Sequence, residues 1–541
     1  MNSPQTYNIG EITNNKSNDK IAIIMGAGPA GLAAAYELAL HSDIKPIVIE
    51  MDGQVGGLAK TIDYEGWRFD IGPHRFFSKS PEINKLWEEI LPKQGQLSQE
   101  DKELGRKLDL SDKLGAPNPD EENQIMLVKQ RLTRIYHRRR FFDYPIKLSF
   151  SNLKKLGGWQ VISILSGYIW ARLKPIKPEK NLEDFFINRF GRPLYETFFK
   201  DYTEKVWGVS CQEIPKSWGA QRVKQLSVSK IISEAVKQTL KPNRKTSETS
   251  LIDSFLYPKF GAGQMFEEMA KKIITKGGII KTSHQIIALQ TEGKKIISLR
   301  VKNLQTGNEE TIAGDFFLSS LAIKDLVEMM DGAARASQEI AAGLSYRDLI
   351  LVALAYNHLS LKNKTKIKTR NDLIPDNWIY VQEKGAKLGR LDIFNNFSPW
   401  MLKNQDKVLI GAEYFCQEGN AWWQMSDTEL IEMASTELAT MGIAEKDELI
   451  TGNVHRQTKA YPAYLGSYNR FSELKDYLNS WENIFLIGRN GQHRYNNMDH
   501  SMLTGLKAAQ ALINYQTEQD LQNSKHEIWQ INTEDDYHEK K

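Results

Sequence analysis

The sequence predicts an α/β fold. A first α/β domain opens near the N-terminus, gives way to a helical excursion and a β-rich stretch, and is completed by a late apolar segment. Three observations predict it. A buried strand, a glycine turn, an alanine-rich helix and a second strand follow one another across residues 21–50. Apolar residues then recur at three- and four-residue spacing in "LEDFFINRFGRPLYETFFKDY" (182–202). Near the end, "LIGRNGQHRYNNMDHSMLTGLKAA" (486–509) places a polar turn between a short apolar strand and a small-residue helix. A chain of 541 residues, 41% hydrophobic and 26% charged, exceeds what one small core can organise.

Taken in order, residues 1–19 are polar and read as a tail without structure. Residues 20–90 begin the nucleotide domain. Residues 91–240 read as a mostly helical substrate domain, with a surface insertion near 92–122 rich in Lys, Glu, Asp and Gln. "KPNRKTSETS" (241–250) is a linker by composition. Residues 251–320 return to the nucleotide domain with strands, and 321–460 form a β-rich domain. Alternating and β-branched runs such as "ILVALAYN", "WIYVQE" and "VLIGAEYF" argue for a twisted antiparallel sheet of the six-stranded type. Residues 461–514 close the nucleotide domain, and 515–541 read as a second flexible tail.

Composition excludes several classes. A net charge of +4 gives no footprint for nucleic acid. Basic runs such as "HRRR" (137–140) read as solvated loop. Two cysteines, Cys211 and Cys416, support neither a disulfide framework nor a thiolate metal site, and no metal is expected. The N-terminus lacks an apolar stretch of the secretory type. "LGGWQVISILSGYIWA" (156–171) is too short to span a bilayer and reads as a buried helix. A cytoplasmic enzyme is the expectation.

The first motif carries specific chemistry. In "IAIIMGAGPAGLAAAYELAL" (21–40), Gly26 permits the tight turn, Gly28 lets backbone amides approach a pyrophosphate, and Gly31 lets the helix pack on the strand. The helix N-terminus suits an anion. The second strand, "KPIVIE", ends in Glu50, placed to accept from a ribose hydroxyl. "MDGQVGGLAKT" (51–61) follows, and its Gly56-Gly57-Leu58 turn resembles the second glycine turn of FAD-dependent amine-oxidase-like proteins. That resemblance makes FAD the expected cofactor and Gly72 another of its contacts. It also implies that the C-terminal segment touches the same flavin. Arg489 can then meet the pyrophosphate, and the helix opening at Met498, Asp499 and Ser501 can present amides to the cofactor.

From about residue 20 to 512 the chain also resembles the UDP-galactopyranose mutase family, through ordered segments. "FDIGPHRFFSKS" (69–80) is similar to the mutase segment whose histidine lies beside the flavin, matching His74. "FFDYPIKLSF" (141–150) resembles the segment lining the uridine pocket and places Tyr144 and Lys147 there. In "FFKDYTEKVWG" (198–208) the family's uridine contacts fall on Thr203 and Trp207. "KSWGAQRVKQL" (216–226) and "LSYRDLILVALAY" (344–356) resemble the segments with the two diphosphate-binding arginines, here Arg222 and Arg347. "AYPAYLGSY" (460–468) and "QHRYNNMD" (492–499) bring the tyrosines Tyr461 and Tyr495.

The resemblance implies that reduced FAD attacks the anomeric carbon of a UDP-sugar through N5 and displaces UDP. The sugar opens, recloses in the other ring size and is returned to UDP, without net redox change. Arginines suit a departing diphosphate because guanidinium stays charged and binds phosphate in a fork. The implied partners are a UDP-sugar, UDP-galactose first, and an external reductant such as NAD(P)H or a reductase, in cell-surface polysaccharide biosynthesis. The oligomeric state stays open. Two other readings stand beside this one. An FAD-dependent oxidoreductase of the amine-oxidase or protoporphyrinogen-oxidase type shares the fingerprint and "YPKFGAG" (257–263) but needs no pair of diphosphate arginines. A non-enzymatic flavin-binding scaffold needs neither.

Overall fold

The computed structural model describes residues 20–144, 146, 150–216 and 254–532. The described chain divides into two units. The first gathers residues 20–129, 255–346 and 459–532, and the second residues 130–254 and 347–458 within those limits.

The first unit is built on a five-stranded parallel sheet in the order Ile484–Leu486, Phe316–Ser319, Ile21–Met25 (β1), Lys45–Ile49 (β2), Ile279–Lys281. Each neighbouring pair is parallel. Parallel strands covered on both faces read as continuous apolar runs, and Ala22, Ile23, Ile24 and Met25 are wholly buried. One face packs on Leu289, Leu299 and Val301 of a three-stranded antiparallel sheet and on Leu326, Leu474 and Trp481. Each such side chain contributes about 1.5–3 kcal/mol by leaving water. The helix Pro29–His41 (α1) follows β1, and the late helix Met498–Asn514 packs along it.

The second unit holds most of a seven-stranded sheet. Its pairs between Leu344–Tyr356, Val408–Cys416, Arg390–Ile393 and Trp378–Val381 are antiparallel, whereas Trp378–Val381 runs parallel to Thr133–His137. The parallel pair has no hairpin to fix its direction, because some 240 residues separate its strands. One strand more than expected, and the parallel pair, trace to residues 133–143. These lie within the stretch expected to be helical but form the last two strands on one side of the sheet, with Arg140–Asp143 at the edge, as the alternating "TRIYH" and "RFFD" allow. The helices Gly158–Leu173, Leu182–Phe190, Arg192–Phe198 and Lys200–Trp207 follow.

Two expectations are corrected. The stretch 156–171 does form a helix, Gly158–Leu173, but only Ile164 and Ala171 are buried in it. An apolar run resembles a core helix in sequence whether or not anything covers it. The stretch after 515 contains the helix Glu518–Gln530, opened by a capping box of Thr517 and Asp520 and anchored by Leu521, Ile528 and Trp529. Residues 1–19 and 533–541 lie outside the described residues, as does the linker 241–250.

Candidate functional site

In the first unit the fingerprint folds into a cradle. Gly26 has φ +106°, and a Cβ there would stand 2.3 Å from the Ser320 hydroxyl oxygen. The position therefore excludes a side chain by conformation and by space. Gly28 precedes α1 and Gly31 sits in its first turn. No side chain caps α1, so its leading amides stay available to an anion. The second glycine turn lies against the first. Gly56 donates its amide to the Ala27 carbonyl at 2.8 Å, and a Cβ on Gly57 (φ +53°) would come 3.0 Å from the Gly28 Cα. Leu58 opens the short helical turn Gly57–Ala59 with Gly57.

Glu50 closes one side. Its carboxylate accepts the Ala27 amide at 2.7 Å and the Asp52 amide at 2.9 Å. Burial raises its pKa, while those two amides draw it back down. A carboxylate has about four acceptor positions, so two amides leave room for a ribose hydroxyl.

A second network, missed in the sequence, holds the cradle from below. Asp70, 1% exposed, accepts from the Thr61 hydroxyl at 2.6 Å, the Tyr257 hydroxyl at 2.5 Å and the Ala262 amide at 3.2 Å. Thr61 in turn accepts the Gly263 amide at 2.8 Å. This ties "FDIGPHR" to "YPKFGAG", and the aspartate at the second position of the first of those segments was its only trace in the sequence. Gly72 follows with φ +82°. His74 lies with Nδ1 3.7 Å from Asp70 Oδ2, and that buried nitrogen has no hydrogen-bond partner among the described residues.

The C-terminal segment completes the same unit. Thr504 accepts the Gly488 amide at 2.7 Å and donates to the Ser501 carbonyl at 2.6 Å. The Asp499 carboxylate accepts from the Ser78 hydroxyl at 2.9 Å, joining the His74 segment to the helix that Met498 opens. Tyr461 and Tyr495 stack with ring centres 5.6 Å apart at 13°. The Arg489 guanidinium sits 5.4 Å and 5.0 Å from their ring centres. It also donates to the carbonyls of Asn496 at 2.9 Å and Ala460 at 3.0 Å. Arg489 thus ties the strand Leu449–Gly466, which carries Tyr461, to the turn that carries Tyr495. Two residues before Tyr495, His493 is fully buried, paired through Nε2 with the Ala463 carbonyl at 3.1 Å, and burial lowers its pKa to about 4. His493 is therefore neutral and structural.

In the second unit, Thr203 and Trp207 are buried on the helix Lys200–Trp207. Tyr144, 41% exposed, packs on Tyr380 at 4.5 Å, and Tyr202 meets the same ring edge-on at 5.4 Å. Tyr380 thereby brings Tyr144 together with the helix of Thr203. Arg347 is 4% exposed and turned to the protein's own backbone. It donates through Nε to the Val206 carbonyl at 2.8 Å, and through Nη2 to Phe415 at 3.1 Å and Lys205 at 3.4 Å. Burial lowers its pKa, and Cys416 and Asp348 push it back up. A guanidinium on the last carbonyls of a helix satisfies them and meets the negative end of the dipole. The geometry makes Arg347 a helix cap, a partnership that no spacing in the sequence announces. Burial pushes the Cys211 thiol up to about 11 and the Cys416 thiol to about 12, which keeps both protonated and inert. Lys147 and Arg222 lie outside the described residues. Among the described residues no cluster of metal-ligating side chains occurs.

Comparison with known proteins bears on this geometry. Residues 29–513 match the family model of flavin containing amine oxidoreductase. An L-amino acid oxidase from Cerastes cerastes is 40% identical over 81 residues, a match spanning only 15% of either chain. Reduced UDP-galactopyranose mutase superposes with a TM-score of 0.71 at 20% identity, covering 94% of this chain and 98% of that one. A proposed protoporphyrinogen oxidase from Exiguobacterium sp. 255-15 gives 0.62 at 15% identity, covering 93% and 100%. The chain belongs to the flavin-containing amine oxidoreductase family, its fold is the mixed α/β fold of these flavoenzymes, and its cofactor is FAD. The uncapped start of α1, the side-chain-free cradle and the unpartnered His74 Nδ1 all fit that cofactor.

Proposed function

We propose that this flavoenzyme is a nucleotide-sugar mutase, interconverting the pyranose and furanose forms of a UDP-sugar, with UDP-galactose the first candidate. One observation carries the reading: Tyr461 and Tyr495 form a stacked pair braced by Arg489, within the unit that holds the flavin cradle. Both tyrosines come from segments resembling the mutase's diphosphate contacts, and phenol hydroxyls are neutral donors suited to a diphosphate.

FAD, bound in the cradle and reduced, would supply nucleophilic flavin chemistry without net redox change. The chain's own residues have the remaining tasks. Tyr461 and Tyr495, with Arg222, hold the departing diphosphate for recapture. Tyr144, Lys147, Thr203 and Trp207 serve the uridine end. His74, held beside Asp70, orients the flavin, and Arg347 supports the site by capping the helix of Thr203 and Trp207. NAD(P)H or a reductase primes the cofactor, which places the reading in the cytoplasm.

A second reading, an FAD-dependent oxidoreductase of the amine-oxidase type, is favoured by Arg347. A site that must grip a diphosphate has one guanidinium fewer when that residue faces backbone carbonyls. The deciding experiment reduces the purified protein anaerobically with dithionite and offers UDP-galactopyranose and UDP-galactofuranose. Interconversion that requires the reduced flavin is expected. Absence of UDP binding, with oxygen consumed on an amine substrate, overturns the mutase in favour of the second reading.

A further inference from the structure

The helix Gly158–Leu173 is the most apolar surface among the described elements of the second unit. Trp159, Ile162, Leu165, Ile169, Trp170 and Leu173 are exposed by 41% (Leu165) to 86% (Trp159). At 100° per residue these six fall within an arc of about 140°. The opposite face is already occupied, with Ile164 and Ala171 buried. An exposed apolar stripe on a surface helix, interrupted here only by Gly158 and Ser166, marks an interaction site. Its surroundings say with what. Between residues 138 and 180 the sequence carries ten Lys and Arg against two acids, Asp143 and Glu179, although the whole chain has a net charge of only +4. Lys154, Arg172 and Lys174 are exposed around the helix.

We propose that this helix docks the protein on an anionic phospholipid surface, lying in the plane of the headgroups. Sixteen residues make a helix of about 24 Å, shorter than the roughly 30 Å hydrocarbon core, so it rests in the interface. No described helix is long and apolar enough to cross a membrane. Trp159 and Trp170 stand towards the two ends of the stripe, where indoles favour the boundary between headgroup and chain. Lys174 reaches over the Trp170 ring at 4.6 Å, keeping its ammonium at the rim of the apolar stripe. A second copy of the chain is a poorer occupant. A two-fold contact would set this positive region against itself, whereas anionic lipid complements it.

The test uses the full-length, FAD-loaded protein, sedimented with phosphatidylcholine vesicles with or without about one third phosphatidylglycerol. Binding to the anionic vesicles is expected, at least about tenfold tighter than to neutral ones, and weakened by salt. The double variant Ile162→Glu/Ile169→Glu abolishes it, and Arg172→Glu/Lys174→Glu weakens it, both with unchanged flavin absorbance and melting temperature. Failure of the wild type to bind either vesicle overturns the proposal. So does a wild-type dimer, seen by sedimentation equilibrium, that the isoleucine variant splits while vesicle binding persists.

Discussion

The flavin cradle and the Arg347 cluster both bury charged groups, and they aim them in opposite directions. In the cradle the leading amides of α1 lack a side-chain cap and Glu50 holds acceptor capacity beyond its two amides. In the cluster, two guanidinium nitrogens face carbonyls of Lys205, Val206 and Phe415. Lys205 likewise donates to the carbonyls of Val381 and Leu388, with its pKa lowered by burial to about 8. Groups left over after the fold has met its own needs mark a place for a ligand, and groups turned to the protein's own backbone mark architecture. Resemblance in sequence cannot separate the two, because it records the residue and not its partner.

Four experiments break or sharpen that contrast. The largest effect is expected from Asp70→Ala, which strands two buried hydroxyls and an amide at a cost of about 4 kcal/mol. Flavin content per chain and the urea midpoint both fall, and a variant that keeps its flavin contradicts the network's role. His493 gives a pH test. Its folded pKa, about 4, lies below the ordinary 6.5, so the folded state binds fewer protons than the unfolded one. Its contribution is present above pH 6.5 and lost as pH falls towards 4, up to about 3 kcal/mol in all. His493→Gln flattens that slope in urea titrations, and an unchanged slope assigns it to other groups.

Arg347→Met removes the cap and lowers stability by about 2 kcal/mol. On the mutase reading proposed above, UDP affinity of the folded, flavin-loaded protein stays within about threefold if Arg347 only caps. A loss of about 100-fold returns the residue to the diphosphate. The smallest effect comes from Gly57→Ala, whose Cβ would crowd Gly28. FAD affinity drops about tenfold with little change in the apoprotein's melting point. Equal losses in both would make the turn a folding element and blur the contrast.

What could be read in advance divides along the same line. Gly26, Gly28, Gly31 and Glu50 were legible because their task is local: a turn, a close approach and an acid at the end of the next strand. The opening of the late helix at Met498 was legible for the same reason. The Asp70 network, the Arg347 cap and the exposure of Trp159 and Ile162 were not, since each depends on segments far away in sequence. The helix Glu518–Gln530 escaped because three apolar anchors among polar neighbours do not outweigh a composition that reads as disordered.

The parallel sheet also bears on how the protein is made. β1 is joined on one side by Phe316–Ser319, which in turn is joined by Ile484–Leu486. The middle strand of this trio is synthesised hundreds of residues after β1, and its outer neighbour later still. Such long-range pairing folds slowly and leaves an open strand edge on the nascent chain until residues 484–486 have been made. Any fragment stopping before Ile484 carries that edge exposed, together with the face of α1 that the last long helix covers. Aggregation of truncated chains, and dependence on chaperones during synthesis, follow from the order in which three short strands meet.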